Sequence, residues 1–327
     1  MKTITLDDIQ SACECIAPHI LQTPTTRDEA LGRRYDAEVW FKWENHQTTG
    51  SFKLRGALNK LLLLPPERAT SGVLAASSGN HGQGVAYAAK MLGLPARVYV
   101  PDDTPSKKLC SMVQLGAEVV TVPGGYGAAE DMALAAAQDS DAVWVSAYND
   151  PDIIAGQGTL AVEWLEQVPA LDLLLVPAGG GGLVSGVGLA AKASNPDIRV
   201  VGVQAAASAA LYEAFHGRDM DAVTHSPTLA HGLAGPVEAG SITVPLVKQV
   251  VDDMLLTSEE EIEKAMAYAY RVHGEVIEGA GAVGLAALLA GDLACQGRVV
   301  GVLISGGNVD PEQHAEVLAR RRGDKEA

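Results

Sequence analysis

Short apolar runs alternate with longer amphipathic stretches along most of this chain. Each run is short enough to be a buried strand, and the stretch after it repeats its apolar positions at helical spacing. Strands are predicted at residues 39–44, 72–76, 96–100, 118–122, 143–145, 173–176, 200–204 and 299–304. Helices are predicted at residues 5–18, 54–64, 80–92, 106–115, 128–138, 158–167, 184–193, 258–272 and 281–289. Such alternation indicates parallel sheets with helices on both faces.

The strand–helix pairs fall into two series, which predict two sheets. The first series covers residues 72–145, and the second runs from the helix at 158–167 to the strand at 299–304. We therefore predict an α/β protein with two open, twisted, mostly parallel sheets flanked by helices. A small domain, residues 51–149, is predicted to be inserted in a large domain, residues 1–50 and 150–327.

The net charge and the spacing of the cysteines argue against several classes of protein. The formal net charge of −16 argues against nucleic acid and anionic membranes as partners, because both require a basic surface. No apolar run approaches the ~20 residues of a membrane span, and the first residues lack a signal-peptide core. Cys13, Cys15, Cys110 and Cys295 show neither zinc-site nor disulfide spacing. We expect a cytoplasmic protein that binds a small molecule.

A lysine beside an aromatic residue is the first candidate for chemistry. Lys53 follows Phe52 in the segment TGSFKLRGA, residues 49–57, and such a turn can present one amine to a flat cofactor that carries a carbonyl group. Burial lowers the pKa of an amine, which can then act as a nucleophile and afterwards as a base. Taken alone, Lys53 is more often a surface cation near a helix start, so the other motifs decide its interpretation.

A serine loop, residues 77–82, follows the predicted strand at 72–76 and begins a helix. Its sequence, SSGNHG, combines small residues with a helix N-terminus, which leaves backbone N–H groups free to bind a carboxylate or a phosphate. Asn80 adds an amide donor and Ser78 a hydroxyl. Ligands of open α/β sheets bind at the carboxyl ends of strands, and this loop is in that position.

A glycine loop, residues 179–182, follows the strand at 173–176. Four consecutive glycines lose much backbone entropy on folding, so the native state needs a close approach of the backbone. A phosphate held by several N–H groups is the obvious ligand. A dinucleotide fingerprint fits less well, because Ser185 and Gln204 stand where it requires a glycine or alanine and an acidic residue. Ser305, after the last strand, adds a hydroxyl at the same edge.

Four segments, residues 51–57, 77–83, 179–182 and 305–308, make the sequence recognisable. In order and spacing they resemble the fold-type II pyridoxal-phosphate enzymes, which have a tryptophan synthase β-like fold, and within them the threonine dehydratase and serine racemase group. The likeness extends from about residue 23 to residue 310. It implies pyridoxal 5'-phosphate as the cofactor and an amino acid as the substrate; we also expect a homodimer.

The resemblance also implies a role for each matched residue. Lys53 would bind the cofactor covalently and act as the catalytic base, and Ser78 could move a proton on the opposite face. The cofactor would be bound by Phe52, Lys53, Asn80, Gly179, Gly180, Gly181, Gly182 and Ser305. The substrate carboxylate would be held by Ser77, Ser78, Gly79, Asn80 and His81.

The expected reaction is β-elimination. Ser305, as the partner of the pyridine nitrogen, is a weaker proton donor than a carboxylic acid, which favours loss of a β-substituent over transamination. We expect dehydration and deamination of a β-hydroxy amino acid such as L-threonine or L-serine to a 2-oxo acid and ammonia. A serine racemase-like or hydroxyectoine-utilisation dehydratase-like enzyme is the alternative. A pyridoxal-phosphate carrier or amino-acid sensor is a different class, which needs no base.

The sequence departs from the family pattern at the metal-binding positions and in the expected absence of a C-terminal regulatory domain. Metal-binding members carry acids at and just after the end of the strand at 200–203, where this chain has Gln204 and the neutral run 205–210. We therefore expect no metal site, unless Glu213 or Asp219 reaches the place. His231 stands where racemase-like members often have an acid, and it is either a site residue or a solvated loop residue. No C-terminal regulatory domain is expected.

Overall fold

The computed structural model describes residues 3–291 and 293–324. Its strands are β1 Thr25–Asp28, β2 Glu38–Trp43, β3 Val73–Ala76, β4 Ala96–Pro101, β5 Glu118–Val122, β6 Val143–Trp144, β7 Leu173–Pro177, β8 Arg199–Ala205, β9 Asp253–Thr257 and β10 Val299–Ile304. Its α-helices are α1 Leu6–Ile16, α2 Glu29–Tyr35, α3 Lys53–Leu62, α4 Pro66–Ala69, α5 Asn80–Leu92, α6 Ser106–Gln114, α7 Gly125–Gln138, α8 Pro151–Gln167, α9 Gly182–Ser194, α10 Ala210–Phe215, α11 Thr243–Val250, α12 Glu259–Tyr268, α13 Gly279–Ala290 and α14 Pro311–Arg320.

The strands form a six-stranded and a four-stranded sheet. The order of the larger sheet is β1-β2-β10-β7-β8-β9, and that of the smaller sheet is β5-β4-β3-β6. Only the edge pair β1 and β2 is antiparallel; every other pairing between these strands is parallel. The predicted α/β fold with two mostly parallel sheets is therefore confirmed.

The chain builds the smaller sheet between two strands of the larger one. Strands β3 to β6 follow β2 and precede β7 along the chain. The proposed domain limits, 51–149 for the small domain, are compatible with this order and stay a prediction.

The larger sheet is covered by apolar side chains on both faces. On β7, Leu174 and Val176 pack into the core cluster of one face, whereas Leu173 and Leu175 pack into that of the other. This two-residue period places successive side chains on opposite faces of the sheet. Helix α13 is buried along residues 279–288, as expected of a helix that is apolar all round.

Glycine contacts bring α3, α8 and α9 close together. A Cβ atom at Gly156 would lie 2.7 Å from Cα of Gly56, and one at Gly186 would lie 2.7 Å from the backbone nitrogen of Gly158. Any larger residue would push these helices apart. The contacts fix the first turn of α3, and therefore Lys53, against the rest of the protein.

Some elements differ from the sequence prediction. Helix α8 begins at Pro151, seven residues before its predicted start, because the Asp150 side chain accepts hydrogen bonds from the backbone N–H groups of Asp152 and Ile153. The predicted helix at 258–272 starts with the expected capping box of Ser258 and Glu261, but from Ala269 to His273 it is π-helical. No helix in the described ranges is long and apolar enough to cross a bilayer.

Candidate active site

A cavity of about 770 Å³ opens where β3, β7 and β10 end. Its wall contains every residue to which the sequence analysis gave a cofactor, substrate or catalytic role. These are Phe52, Lys53, Ser77, Ser78, Gly79, Asn80, His81, Gly179, Gly180, Gly181, Gly182 and Ser305. The fold thus brings four distant segments to one place, while the role of each residue stays a prediction.

Lys53 is the first residue of α3 and is held in the cavity wall. Its Nζ donates a hydrogen bond to the Ala147 carbonyl oxygen at 2.7 Å and lies 5.3 Å from the centroid of the Phe52 ring. Helix α5 passes close by, since a Cβ atom at Gly84 would lie 3.2 Å from the Lys53 carbonyl carbon. The helix packing therefore determines where this amine points.

The surroundings of Lys53 favour the neutral amine. Burial lowers the pKa of Lys53 to about 8, and the Glu278 carboxylate opposes part of that effect. An ordinary lysine has a pKa above 10. At a pH near neutrality a much larger fraction of Lys53 is therefore unprotonated and nucleophilic.

The serine loop provides unpaired backbone donors at the start of α5. Ser77 Oγ accepts from the Gly79 N–H at 3.1 Å, whereas the N–H groups of Ser78, Asn80 and His81 have no acceptor among the described residues. A Cβ atom at Gly79 would meet no atom within 4 Å, so the loop is open toward the cavity. These donors suit a carboxylate.

His81 contributes to this loop with its backbone, because its ring is engaged elsewhere. The imidazole Nε2 lies 2.8 Å from the Val145 carbonyl oxygen and must donate, since a carbonyl oxygen only accepts. Burial lowers the pKa of His81 to about 3. The ring is thus neutral and attaches α5 to the end of β6.

The glycine loop forms a second set of donors, at the start of α9. Among the described residues, the backbone N–H groups of residues 180–184 have no acceptor. Gly181 has φ +91°, and a Cβ atom at Gly180 would lie 2.5 Å from the Tyr148 ring. Only glycine fits this backbone. Free N–H groups at the positive end of a 13-residue helix suit a phosphate.

Ser305 completes the edge at the end of β10. It is 3% exposed and lines the cavity, and its hydroxyl makes no hydrogen bond within the described part of the chain. Its carbonyl oxygen accepts from the Phe52 N–H at 3.1 Å, so the strand end is joined directly to the lysine segment. The hydroxyl is free to bind a ligand atom.

The sequence analysis missed several residues of the cavity wall, namely Lys108, Tyr126, Glu130, Tyr148, Glu278 and Asn308. Tyr148 packs against the glycine loop, and its hydroxyl oxygen accepts from the Glu238 N–H at 2.8 Å. Its place just after β6 is a signal that could have identified it. Glu278 comes directly before α13, and the sequence analysis gave it no role.

His231 also lines the cavity. Desolvation and the nearby Lys108 lower its pKa, and Glu259 acts in the opposite direction. A neutral imidazole follows from this, and its role stays open between substrate contact and loop residue.

The segment that replaces the metal-binding acids is engaged in other contacts. Gln204 Oε1 accepts from the Tyr212 N–H at 2.9 Å. Glu213 pairs with Arg218, and Asp219 accepts from the Asp221 N–H at 2.9 Å. The described residues contain no group of three or more histidine, cysteine or acidic side chains that could hold a metal ion.

Comparisons with known proteins agree with this geometry. Residues 16–306 match the family model described as pyridoxal-phosphate dependent enzyme. The L-threonine ammonia-lyase of Thermotoga maritima is 41% identical, over 94% of this chain and 76% of the relative. The catabolic L-threonine dehydratase of Escherichia coli is 36% identical, over 96% of each chain. The structure of maize serine racemase superposes with a TM-score of 0.89 at 32% identity, covering 98% of each chain.

Proposed function

The chain belongs to the family of pyridoxal-phosphate dependent enzymes, and on that premise we propose that it is an ammonia-lyase for L-threonine or L-serine. It converts the β-hydroxy amino acid to a 2-oxo acid and ammonia. One observation carries this proposal. The Lys53 amine and two sets of free backbone N–H groups line the same cavity. The ammonia-lyase and dehydratase relatives support the reaction type.

The residues of the cavity fit pyridoxal phosphate. The glycine loop offers free backbone N–H groups to the phosphate, and the free Ser305 hydroxyl suits the pyridine nitrogen. Lys53 provides the amine to which the cofactor aldehyde binds. When bound, the cofactor withdraws electrons from the α-carbon of the substrate.

The protein supplies position and proton transfer. The serine loop binds the substrate carboxylate, which places the α-carbon near Lys53. Lys53 Nζ takes the α-proton, because its lowered pKa leaves it partly unprotonated. Ser305 would hold the pyridine nitrogen of the bound cofactor by a weak hydrogen bond, which would favour loss of the β-hydroxyl over transamination.

The experiment that tests this function measures products from a panel of amino acids. The purified enzyme is incubated with L- and D-threonine and with L- and D-serine, and 2-oxo acid, ammonia and the enantiomers are quantified. Equal amounts of 2-oxo acid and ammonia from an L-substrate support the proposal. Inversion without 2-oxo acid from any of the four would identify a racemase instead.

Ser78 allows a second activity, since serine racemase is among the similar proteins. Its hydroxyl lines the cavity and has no hydrogen-bond partner among the described residues, so it is free to move a proton on the face opposite Lys53. We expect Ser78→Ala to suppress D-amino acid formation by about 10²-fold and ammonia release by much less. Chiral chromatography and an ammonia assay on the same reactions measure both rates. Equal loss of the two would show that Ser78 only positions the substrate.

We also propose that catalysis needs no divalent metal. Gln204 and the alanine-rich residues after it offer only neutral oxygens, and the nearby acid Glu213 is paired with Arg218, so the charge that offsets dehydration of Mg²⁺ or Ca²⁺ is missing. We expect a chelator to leave both the rate and the thermal midpoint unchanged. Loss of activity on chelation that magnesium or calcium restores would contradict this prediction.

The proposed enzyme acts in the cytoplasm on a free amino acid, as a homodimer and without nucleic acid. The charge of −16 supports the absence of nucleic acid, because a basic surface is required for phosphate backbones. The dimer follows from the family resemblance, and sedimentation equilibrium of the purified protein tests it.

A further inference from the structure

Glu278 stands at the start of a helix without capping it. It is the N-cap residue of α13, yet its side chain accepts no hydrogen bond from the first turn of that helix. Instead Oε1 accepts from Asn80 Nδ2 at 2.5 Å. Both residues line the cavity. The carboxylate is thus used by the site and not by the helix to which it belongs.

Asn80 is held from two sides. Its Oδ1 accepts from Asn308 Nδ2 at 2.8 Å, and the same Asn308 nitrogen lies 2.8 Å from the Thr49 carbonyl oxygen. Together with Glu278, these contacts fix which end of the Asn80 amide is oxygen and which is nitrogen. Its second N–H has no acceptor among the described residues, and it can donate into the cavity.

The backbone leaves room for both partners of Asn80. A Cβ atom at Gly306 would lie 2.5 Å from Glu278 Oε1, and one at Gly50 would lie 2.5 Å from Asn308 Oδ1. A side chain at either glycine would displace one member of the set. The arrangement therefore depends on two glycines in separate segments, each next to a motif residue.

The charge of Glu278 acts on the catalytic amine. Glu278 is the acidic group that raises the pKa of Lys53 against the effect of burial. Burial raises the pKa of Glu278 above its usual range, although Asn80, Lys108 and Lys53 act in the opposite direction. His81, which also interacts with Lys53, has its pKa lowered by burial and by that amine, so it stays neutral and does not replace this charge.

We propose that Glu278 is a positioning residue of the reaction, which orients the Asn80 amide toward the cofactor and supplies the negative charge that holds a proton on the Lys53 nitrogen. The proposal rests on the function proposed above. A carboxylate that accepts from one N–H of the Asn80 amide, together with the Asn308 donor to its oxygen, fixes the orientation of the amide, so that its second N–H is directed at the cavity. Glu278 therefore acts through Asn80 and through its field, with no contact to the substrate.

The test separates the charge of Glu278 from its contact. Glu278→Gln keeps the size and a hydrogen-bond acceptor but loses the charge, whereas Glu278→Asp keeps the charge. Glu275→Gln is the matched control, since Glu275 is three residues away and pairs with His46 and Asn45. The visible absorbance of each holoenzyme is titrated from acid to alkaline pH, and the midpoint reports loss of the proton from the Lys53 nitrogen.

We expect the midpoint of Glu278→Gln to fall by about one pH unit or more, and those of Glu278→Asp and Glu275→Gln to stay close to the wild-type value. The sign follows because removing a negative charge disfavours the protonated nitrogen. An unchanged midpoint in Glu278→Gln, or an equal fall in Glu278→Asp, would overturn the proposal. The titration needs no turnover, so failure of the lyase assay on the wild-type protein is a separate result.

Discussion

Replacing Lys53 by alanine is expected to lower the rate of 2-oxo acid formation by on the order of 10⁴-fold or more. The same amine would bind the cofactor and move the α-proton, so one substitution removes two functions. Lys53 lies at the first position of α3 with Nζ in the cavity wall. Alanine is tolerated at such a helical position, which means that loss of fold is not expected to explain the loss of rate.

Trapping with borohydride gives an independent measurement. In the wild-type protein, reduction is expected to fix the cofactor on the peptide that contains Lys53, detected by mass spectrometry, and to bleach the visible band. Lys60→Ala is the matched control, because Lys60 is on the same helix and pairs with Asp150 and Asp152 away from the cavity. Labelling of another lysine such as Lys108, or a largely retained rate in Lys53→Ala, would refute the assignment.

The alternation of the chain predicted the architecture because buried parallel strands leave a clear signal. A strand such as β7, buried at every position, must be apolar throughout. Edge elements leave a weaker signal. Strand β1, with the sequence TTRD, is antiparallel at the sheet edge and largely exposed, so neither alternation nor an apolar run marks it. The sequence analysis also missed strand β9 at the opposite edge of the sheet and helices α2, α10, α11 and α14.

The start of α8 was missed although its signal is present in the sequence. Asp150 followed by Pro151 is a typical N-cap and first helical residue. The buried residues Gly156 and Gln157 interrupt the apolar spacing, since their places are determined by contact with Gly56 on α3. Contacts between helices depend on the tertiary structure, so the spacing of apolar residues within one segment does not reveal them.

The site was predicted where its residues form contiguous loops, and missed where one side chain enters from a distant element. The serine and glycine loops have free backbone N–H groups and line the cavity, and their small residues before a helix indicated such donors. Glu278 acts by one side chain from the start of α13, and nothing in its neighbours distinguishes it from an ordinary N-cap. Only the fold shows that it meets Asn80.

A buried network of charges lies behind the lysine segment. Arg55 is 1% exposed, and its guanidinium binds both carboxylate oxygens of Glu44, at 2.9 and 2.7 Å, and one of Glu163 at 2.9 Å. Lys42, fully buried, also pairs with Glu163. Two cations thus balance two carboxylates. Burial raises the pKa of Glu44, but Arg55, Thr23 and Lys42 together outweigh this effect and keep that pKa below its usual range.

Arg55→Met is expected to lower the free energy of unfolding by about 3–5 kcal/mol, because it removes the ion-pair partner of the buried Glu44 carboxylate. Urea denaturation at neutral pH measures the change. With Arg55 absent, only the Thr23 hydroxyl and Lys42 oppose the effect of burial on Glu44, so we expect its pKa in the folded state to rise above the unfolded value. That penalty is present at neutral pH and is lost as the pH falls below the raised pKa. The deficit relative to the wild type should therefore shrink on mild acidification.

The control for this prediction is an exposed ion pair with similar chemistry. Arg97 pairs with Glu118 at 2.8 Å on the surface of β4 and β5, with both side chains largely in solvent. Arg97→Met is expected to cost less than about 1 kcal/mol, because water screens the pair in the folded state. If the two variants lose equal stability, or if the Arg55→Met deficit does not depend on pH, the buried charges do not carry the energy assigned to them. Arg55 is two residues after Lys53 on α3, so this network borders the amine for which we propose a catalytic role.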